Sequence, residues 1–424
     1  MKVHLPYGRA AVTVEAPDDA VVLRPREAVP LADPEGAVRD ALTEPLGSAP
    51  LERIARGARQ AAVVISDVTR PVPNRLLLTA ILEALERGGV SSRHVTILIG
   101  TGLHRPATER EVEALVGPDI AATCRVLSHD ARDLTALVPA ARDAGGDEVL
   151  VHRVYADADL RILTGFVEPH LFAGYSGGGK AVLPSIADAQ SIMRNHSARH
   201  LAHPGATWCV TAGNPVFEEI RDVALQTEPS FIVNVTLDER RRVTGVFAGE
   251  LVTAHDAAIG QAARQALCPV PHEFDIVVAT NMGYPADLNL YQSVKGLAVA
   301  ARAVRPGGTI VLVAECVEGL GSPEYVALLE SERSPQAMLH RILAPGFSAV
   351  DQWQVQIQAM VQAKAKVYLF SSLSPETVRR AHLEPCVDIE ATIASEAARA
   401  ERAEGRPARI LMLPHGQLTV PVVD

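Results

Sequence analysis

The reactive side chains of this chain gather in a few short clusters, most of them directly behind an apolar, β-branched run. Residues 66–74 (SDVTRPVPN) carry Asp67 and Arg70 on a strand-to-helix turn. An anion there could meet both a guanidinium and a helix N-terminus, although an Asx-turn with a surface ion pair is the simpler account of this piece alone. Residues 100–106 (GTGLHRP) put His104 at a strand end, after two glycines that let the backbone pass close to a ligand. Taken singly, a loop histidine of this kind is more often a solvated bystander than a base.

The richest stretch is residues 165–196, which holds His170, the loop Ser176, Gly177, Gly178 and Gly179, then Lys180, and ends on His196. A glycine run offers several backbone N–H groups to a phosphate, with the lysine charge beside them. A flexible turn explains the glycines equally well. The spacing is not that of a P-loop, and no strand is followed by GxGxxG, so nothing points to a dinucleotide. His196 closes a helical stretch that Ser185 is positioned to cap, a place the helix dipole favours for histidine. As a neutral imidazole it could also ligate a soft transition metal. No further protein ligands stand at metal-motif spacing, so most of the coordination would have to come from a cofactor. Farther on, residues 289–296 (NLYQSVKG) bring Tyr291, Gln292 and Lys295 together at a helix start, as a grip for a carboxylate or as a solvated first turn. Residues 351–354 (DQWQ) hold Trp353, which suits either a core position or a lid over a pocket.

The elements that must position these clusters alternate between strand and helix. Residues 61–65, 95–100, 160–164 and 230–235 read as buried strands, and residues 74–87 (NRLLLTAILEALER) as a helix capped by Asn74. A second series of strands begins at 274–280 and continues through 309–314 and 366–370, with a turn at the RPGG of 305–308. This alternation predicts an α/β fold of two domains, each with a largely parallel sheet flanked by helices. The CPVPHE stretch at 268–273 sets the expected boundary, giving an N-terminal domain over 1–270 and a C-terminal domain over 271–405. The final strand near 409–413 could close either sheet, so the tail 406–424 could return to the first domain. In such sheets, ligands bind beyond the carboxyl ends of the strands, which is where the clusters fall.

A length of 424 residues exceeds one ordinary core. The net charge of -10 argues against a nucleic-acid partner while leaving room for a small anion. Five scattered cysteines without a CxxC pair suit reduced thiols in the cytoplasm and supply no zinc or redox motif. The amphipathic start reads as a strand rather than a signal peptide, and no run is long enough to span a membrane.

Taken in order, SDVTRPVP, GTGLHRP, EPHLFAGYSGGGK, the helix ending in NH, NLYQSVKG and DQWQ resemble the nickel-pincer nucleotide-dependent lactate racemase family. Lys180 stands ten residues after His170, and His196 sixteen after Lys180. The resemblance runs nearly the whole chain. It implies a two-domain α/β enzyme with its active site in the interdomain cleft. It also implies a nickel-carrying pyridinium mononucleotide, a pyridinium-3-thioamide-5-thiocarboxylic acid, joined covalently to Lys180. His196 would ligate the nickel, and His104 and His170 would be the acid/base pair. Asp67 and the backbone of Ser176, Gly177, Gly178 and Gly179 would hold the nucleotide. Arg70, Tyr291, Gln292, Lys295 and Trp353 would bind a 2-hydroxy carboxylate, with Arg105 a candidate contact for a second carboxylate. The implied partners are that substrate and the proteins that make the cofactor. The implied reaction is racemisation or epimerisation through a 2-keto acid, by hydride transfer coupled to proton transfer. Two other readings stay open on the glycine loop and lysine alone: a Schiff-base enzyme of the pyridoxal phosphate kind, and a non-catalytic nucleotide-binding protein.

Overall fold

A computed structural model describes residues 1–26 and 28–423. It contains two six-stranded sheets, each with its own core. The first sheet runs in the order Val243–Gly249, Phe231–Leu237, Leu160–Phe166, Ala61–Ser66, Val95–Gly100, Arg125–Ser128. Every pairing is parallel except that of the Val243–Gly249 edge strand. Ala61, Ala62, Val63, Val64 and Ile65 are all buried, as a parallel strand covered on both faces requires. The helix Asn74–Arg87 packs Leu77, Leu78, Ile81, Leu82 and Leu85 into the same core at the spacing read from the sequence.

The second sheet is ordered Glu384–Pro385, Lys366–Phe370, Val304–Val313, Phe274–Thr280, Ile410–Leu413, Val21–Val22, and all its pairings are parallel. The α/β class and the parallel, helix-flanked sheets are therefore as expected. The domain composition differs. One compact unit comprises Met1–Arg26, Ser197–His203 and everything from Gln265 onward, and the other takes the rest of the described chain. The expected N-terminal domain over 1–270 thus loses its first residues. Lys2–Tyr7 and Ala10–Glu15 form a hairpin whose Val3, Leu5 and Val14 pack into the second core, and Val21–Val22 adds to the second sheet. The tail does not return to the first sheet: Ile410–Leu413 pairs with Phe274–Thr280, and Val420–Val423 pairs with Leu267–Val270. Short-range patterning cannot reveal such pairings, because a lone strand has the same alternation whichever sheet it joins.

Three local expectations also change. Asn74 is the first helical residue, and its buried amide donates to the Ser66 carbonyl (3.2 Å) instead of capping the helix. The helix Ala189–Asn195 is capped by Asp188, which accepts from the Ser191 N–H at 2.9 Å, leaving Ser185 to other work. The RPGG turn lies inside the Val304–Val313 strand, where it makes a bulge against Phe274–Thr280.

Asp275, buried in the Phe274–Thr280 strand of the second sheet, accepts from Arg305 Nε (2.5 Å), Arg406 Nη1 (2.7 Å) and the Arg409 N–H (2.8 Å). Burial alone would raise its carboxyl, but the bonds from Arg406, Arg409 and Arg305 prevail and hold it at about 2. A carboxylate depressed in the folded state contributes stability above its ordinary value of 3.8 and loses that contribution as pH falls toward 2. We expect Asp275→Ala to lower unfolding stability in urea by about 2–4 kcal/mol at pH 7. The gap from the parent protein should narrow as the melts are taken from pH 4 down to pH 2. An equal gap at both pH values would contradict this account.

Candidate functional site

In the first sheet, three adjacent parallel strands end in the candidate groups. Ala61–Ser66 leads into Asp67 and Arg70, Val95–Gly100 into His104, and Leu160–Phe166 into His170 and the loop to Lys180. Asp67 is buried, and its Oδ2 lies 2.7 Å from His104 Nδ1 while its Oδ1 accepts from the Thr69 N–H (3.1 Å) and hydroxyl. Burial works to raise this carboxyl, but the bonds from His104 and Thr69 and the nearby His104 and Arg70 charges bring it below its ordinary value. An ionised Asp67 fixes the proton of neutral His104 on Nδ1, so Nε2 presents a lone pair. Half of the His104 side chain is open to solvent, as a proton-exchanging group needs.

His170 is set the opposite way. Its Nδ1 accepts from the Ala173 N–H at 3.2 Å, with the Phe172 N–H farther off at 3.5 Å, so the neutral ring carries its proton on Nε2. Phe172 packs edge-on against both His170 (centroids 4.7 Å apart) and the buried His196 (5.0 Å), joining the two rings through one apolar wedge. His196 itself forms the C-cap of Ala189–Asn195.

The glycine loop is packed rather than splayed. Gly178 has φ +52°, and a Cβ there would sit 2.2 Å from His255 Nδ1; a Cβ on Gly179 would meet the Ile220 carbonyl at 2.8 Å. The Gly178 N–H donates to Asn234 Oδ1 (2.8 Å), and the Ser176 hydroxyl donates to the Phe166 carbonyl (2.9 Å). His255 donates from Nε2 to the Ser176 carbonyl at 2.9 Å; burial pushes its pKa down to about 4 and keeps it neutral. Close packing therefore demands these glycines in its own right.

Lys180 follows within the short 3-10 helix Gly178–Ala181. Burial first, and the Arg70 charge second, lower its amine to about 7. Ser185 steadies the same residue: its hydroxyl donates to the Lys180 carbonyl at 2.7 Å, and its own carbonyl accepts from the Gly102 N–H at 3.0 Å. The loop bearing His104 and the loop bearing Lys180 are thereby tied together.

In the second unit, Asn289 caps the helix Leu290–Ala300 by accepting from the Gln292 N–H. Lys295 Nζ donates to Gln292 Oε1 at 3.2 Å, which turns the Gln292 amide NH2 away from it. Tyr291 Oη donates to Asp351 Oδ1 (3.0 Å) and accepts from Trp353 Nε1 (3.3 Å). The structure thus gathers Asp67, Arg70, His104, His170, Lys180 and His196 in one unit, and Tyr291, Gln292, Lys295 and Trp353 in the other. Sequence reasoning missed Asn234, His255, Ser185 and Asp351 as partners of these groups. Only Asp351 left a local signal, since it opens the DQWQ segment next to Trp353.

Two family models cover most of the chain. The lactate racemase N-terminal domain matches residues 7–209, and the lactate racemase C-terminal domain matches residues 270–422. The chain belongs to the lactate racemase family. It is an isomerase of the racemase class. The lactate racemase of Lactiplantibacillus plantarum is 33% identical over 423 residues, covering 98% of each chain. That of Thermoanaerobacterium thermosaccharolyticum is 32% identical over 398 residues, covering 91% of this chain and 92% of the relative. The solved apoprotein of the latter superposes over 100% of both chains with a TM-score of 0.92 at 30% identity. A Thermotoga maritima protein shares the fold at 17% identity, with a TM-score of 0.67 over 93% of this chain and 99% of its own.

An amine with its midpoint near 7 is largely neutral, and so nucleophilic, one unit above that. Acylation of apo-protein with acetic anhydride, followed by peptide mass spectrometry, should show Lys180 labelling rise through about pH 7. A midpoint at the ordinary 10.5 would refute the lowered amine.

Proposed function

We propose that this racemase inverts the C2 centre of a small 2-hydroxy carboxylate, lactate being the first to test, with a nickel-pincer nucleotide carried on Lys180. The observation that carries the reading is the tie through Ser185, whose hydroxyl donates to the Lys180 carbonyl and whose carbonyl accepts from Gly102 in the loop that bears His104, beside an amine whose charge burial disfavours. A neutral amine is the form that can bond to an acyl or thioacyl carbon. The residues present fit the cofactor in a second respect. Among the described residues, no cluster of three or more His, Cys, Asp or Glu could hold a metal, so nickel on His196 would take its other donors from the cofactor. When bound, that group supplies a hydride acceptor and donor for the substrate's C2 carbon.

The chain's own groups handle the proton and the carboxylate. The C2 hydrogen of a hydroxy acid is too weakly acidic for histidine to remove as a proton, whereas the hydroxyl proton is within reach once C2 is being oxidised to the keto level. His104, with its Nε2 lone pair held ready by Asp67, is suited to take that proton, and His170, with its proton on Nε2, is suited to give one. Two such groups are needed because the hydroxyl occupies different positions in the two enantiomers. Lys295 and the Gln292 amide provide donors for the carboxylate, with Arg70 a further cation. Arg105, the candidate contact for a second carboxylate, is committed to Glu111 through a two-pronged pair at 2.6 and 2.7 Å. That favours a monocarboxylate. A cytoplasmic setting, in keeping with five free cysteines, and dependence on cofactor-synthesis proteins belong to the same proposal. No helix among the described residues is long and apolar enough to cross a membrane.

Protein made alongside the cofactor-synthesis enzymes should carry a mass adduct on Lys180 and near-stoichiometric nickel, and should erode the optical purity of lactate. An unmodified Lys180 under those conditions removes the proposal, and an imine absorbance lost on borohydride treatment would point to a Schiff base instead. In loaded enzyme, Asp67→Asn should reduce kcat/KM on the order of 10²-fold or more through loss of the aligned base. His104→Ala and His170→Ala should each be at least as severe; full activity in both would sink the acid/base assignment.

A further inference from the structure

Asp351 takes a backbone conformation that non-glycine residues rarely adopt, with φ +63° and ψ 6°, at the start of the helix Gln352–Lys364. Its side chain does not cap that helix. One carboxylate oxygen accepts from Tyr291 Oη at 3.0 Å and the other from the Ser322 hydroxyl, which itself caps the helix Pro323–Glu330 by accepting from the Tyr325 N–H. Tyr291 is held through its backbone as well as its hydroxyl. Its N–H donates to the Leu320 carbonyl (2.9 Å), its carbonyl accepts from Gln354 Nε2 (2.6 Å), and its hydroxyl accepts from Trp353 Nε1 (3.3 Å).

Counting protons gives the consequence. A carboxylate only accepts, and a phenol has one proton to give. With that O–H directed at Asp351, the Tyr291 hydroxyl can meet a further group only through a lone pair, with a negative charge directly behind it. The indole N–H of Trp353 is likewise spent on Tyr291. Lys295, one turn on, and the Gln292 amide, next in the chain, carry the donors. We propose that Asp351 is a specificity-determining positioning residue. It makes the Tyr291–Trp353 side of the substrate grip acceptor-only and anionic, so that this side repels a second carboxylate and admits a monocarboxylate hydroxy acid. This inference rests on the reading of Tyr291 and Lys295 as substrate contacts.

The test uses cofactor-loaded enzyme with lactate and malate as probes, read both by KM or inhibition constant and by Trp353 fluorescence during titration, which requires no turnover. Asn tolerates the left-handed conformation, so Asp351→Asn removes the charge while sparing the backbone; Asp351→Gly does the same if the first variant misfolds. We expect the ratio of malate to lactate affinity to rise about tenfold or more in the variant, with lactate affinity changing only a few-fold. An unchanged ratio in folded variant enzyme, or a parent enzyme that binds malate as well as lactate, overturns the inference. Lys295→Ala separates the two levels. If it leaves lactate affinity intact, the substrate placement itself fails and the inference with it; if it weakens lactate while Asp351→Asn leaves selectivity unchanged, the inference alone falls.

Discussion

Parallel pairing of Ala61–Ser66 with Val95–Gly100 on one side and Leu160–Phe166 on the other is the constraint on which the candidate site of the first sheet depends. Parallel strands bring all their carboxyl ends to one edge, so loops far apart in sequence begin within a strand spacing of each other. Asp67 can reach His104 across 37 positions of chain because the strands that launch them are hydrogen-bonded neighbours paired through Ser66 and Gly100. The strands themselves are buried on both faces, which makes their ends rigid platforms for exposed or half-exposed groups.

On that platform, the chemistry is tuned mainly by desolvation and by the direction of hydrogen bonds. Lys180 is brought to about 7 chiefly by burial, with the Arg70 charge adding to the effect. The histidines show the second lever. His104 gives its Nδ1 proton to an ionised aspartate, while His170 accepts a backbone N–H at the same atom, so the two neutral rings expose opposite functions at Nε2. Tyr291 is polarised by the same kind of accounting through Asp351. In each case a partner behind the functional group decides whether it offers a proton or a lone pair.

Packing by itself already requires the glycine loop. Gly178 faces a buried, neutral His255, and Gly179 faces the backbone of Pro215–Gln226, so a side chain at either position would displace the element behind it. That close approach in turn sets where the backbone turns into Lys180. A run that reads in isolation as flexible is held by the Asn234 and His255 bonds.

The sequence alone determined the strand and helix alternation, the α/β class, and the motifs that hold the candidate residues, because apolar periodicity and short motifs are local properties. Residues 95–100 and 74–87 take the elements expected of them, and the ordered motifs sufficed to place the chain in its family. What only the tertiary structure decided was pairing over long range. Val21–Val22 and Ile410–Leu413 join the second sheet, and Asp188 rather than Ser185 caps its helix. His255, Asn234 and Asp351 stand behind the loop and the tyrosine they hold. Such contacts are chosen by the geometry of the packed sheets, and strand alternation or helical spacing carries no information about which distant partner a group will meet.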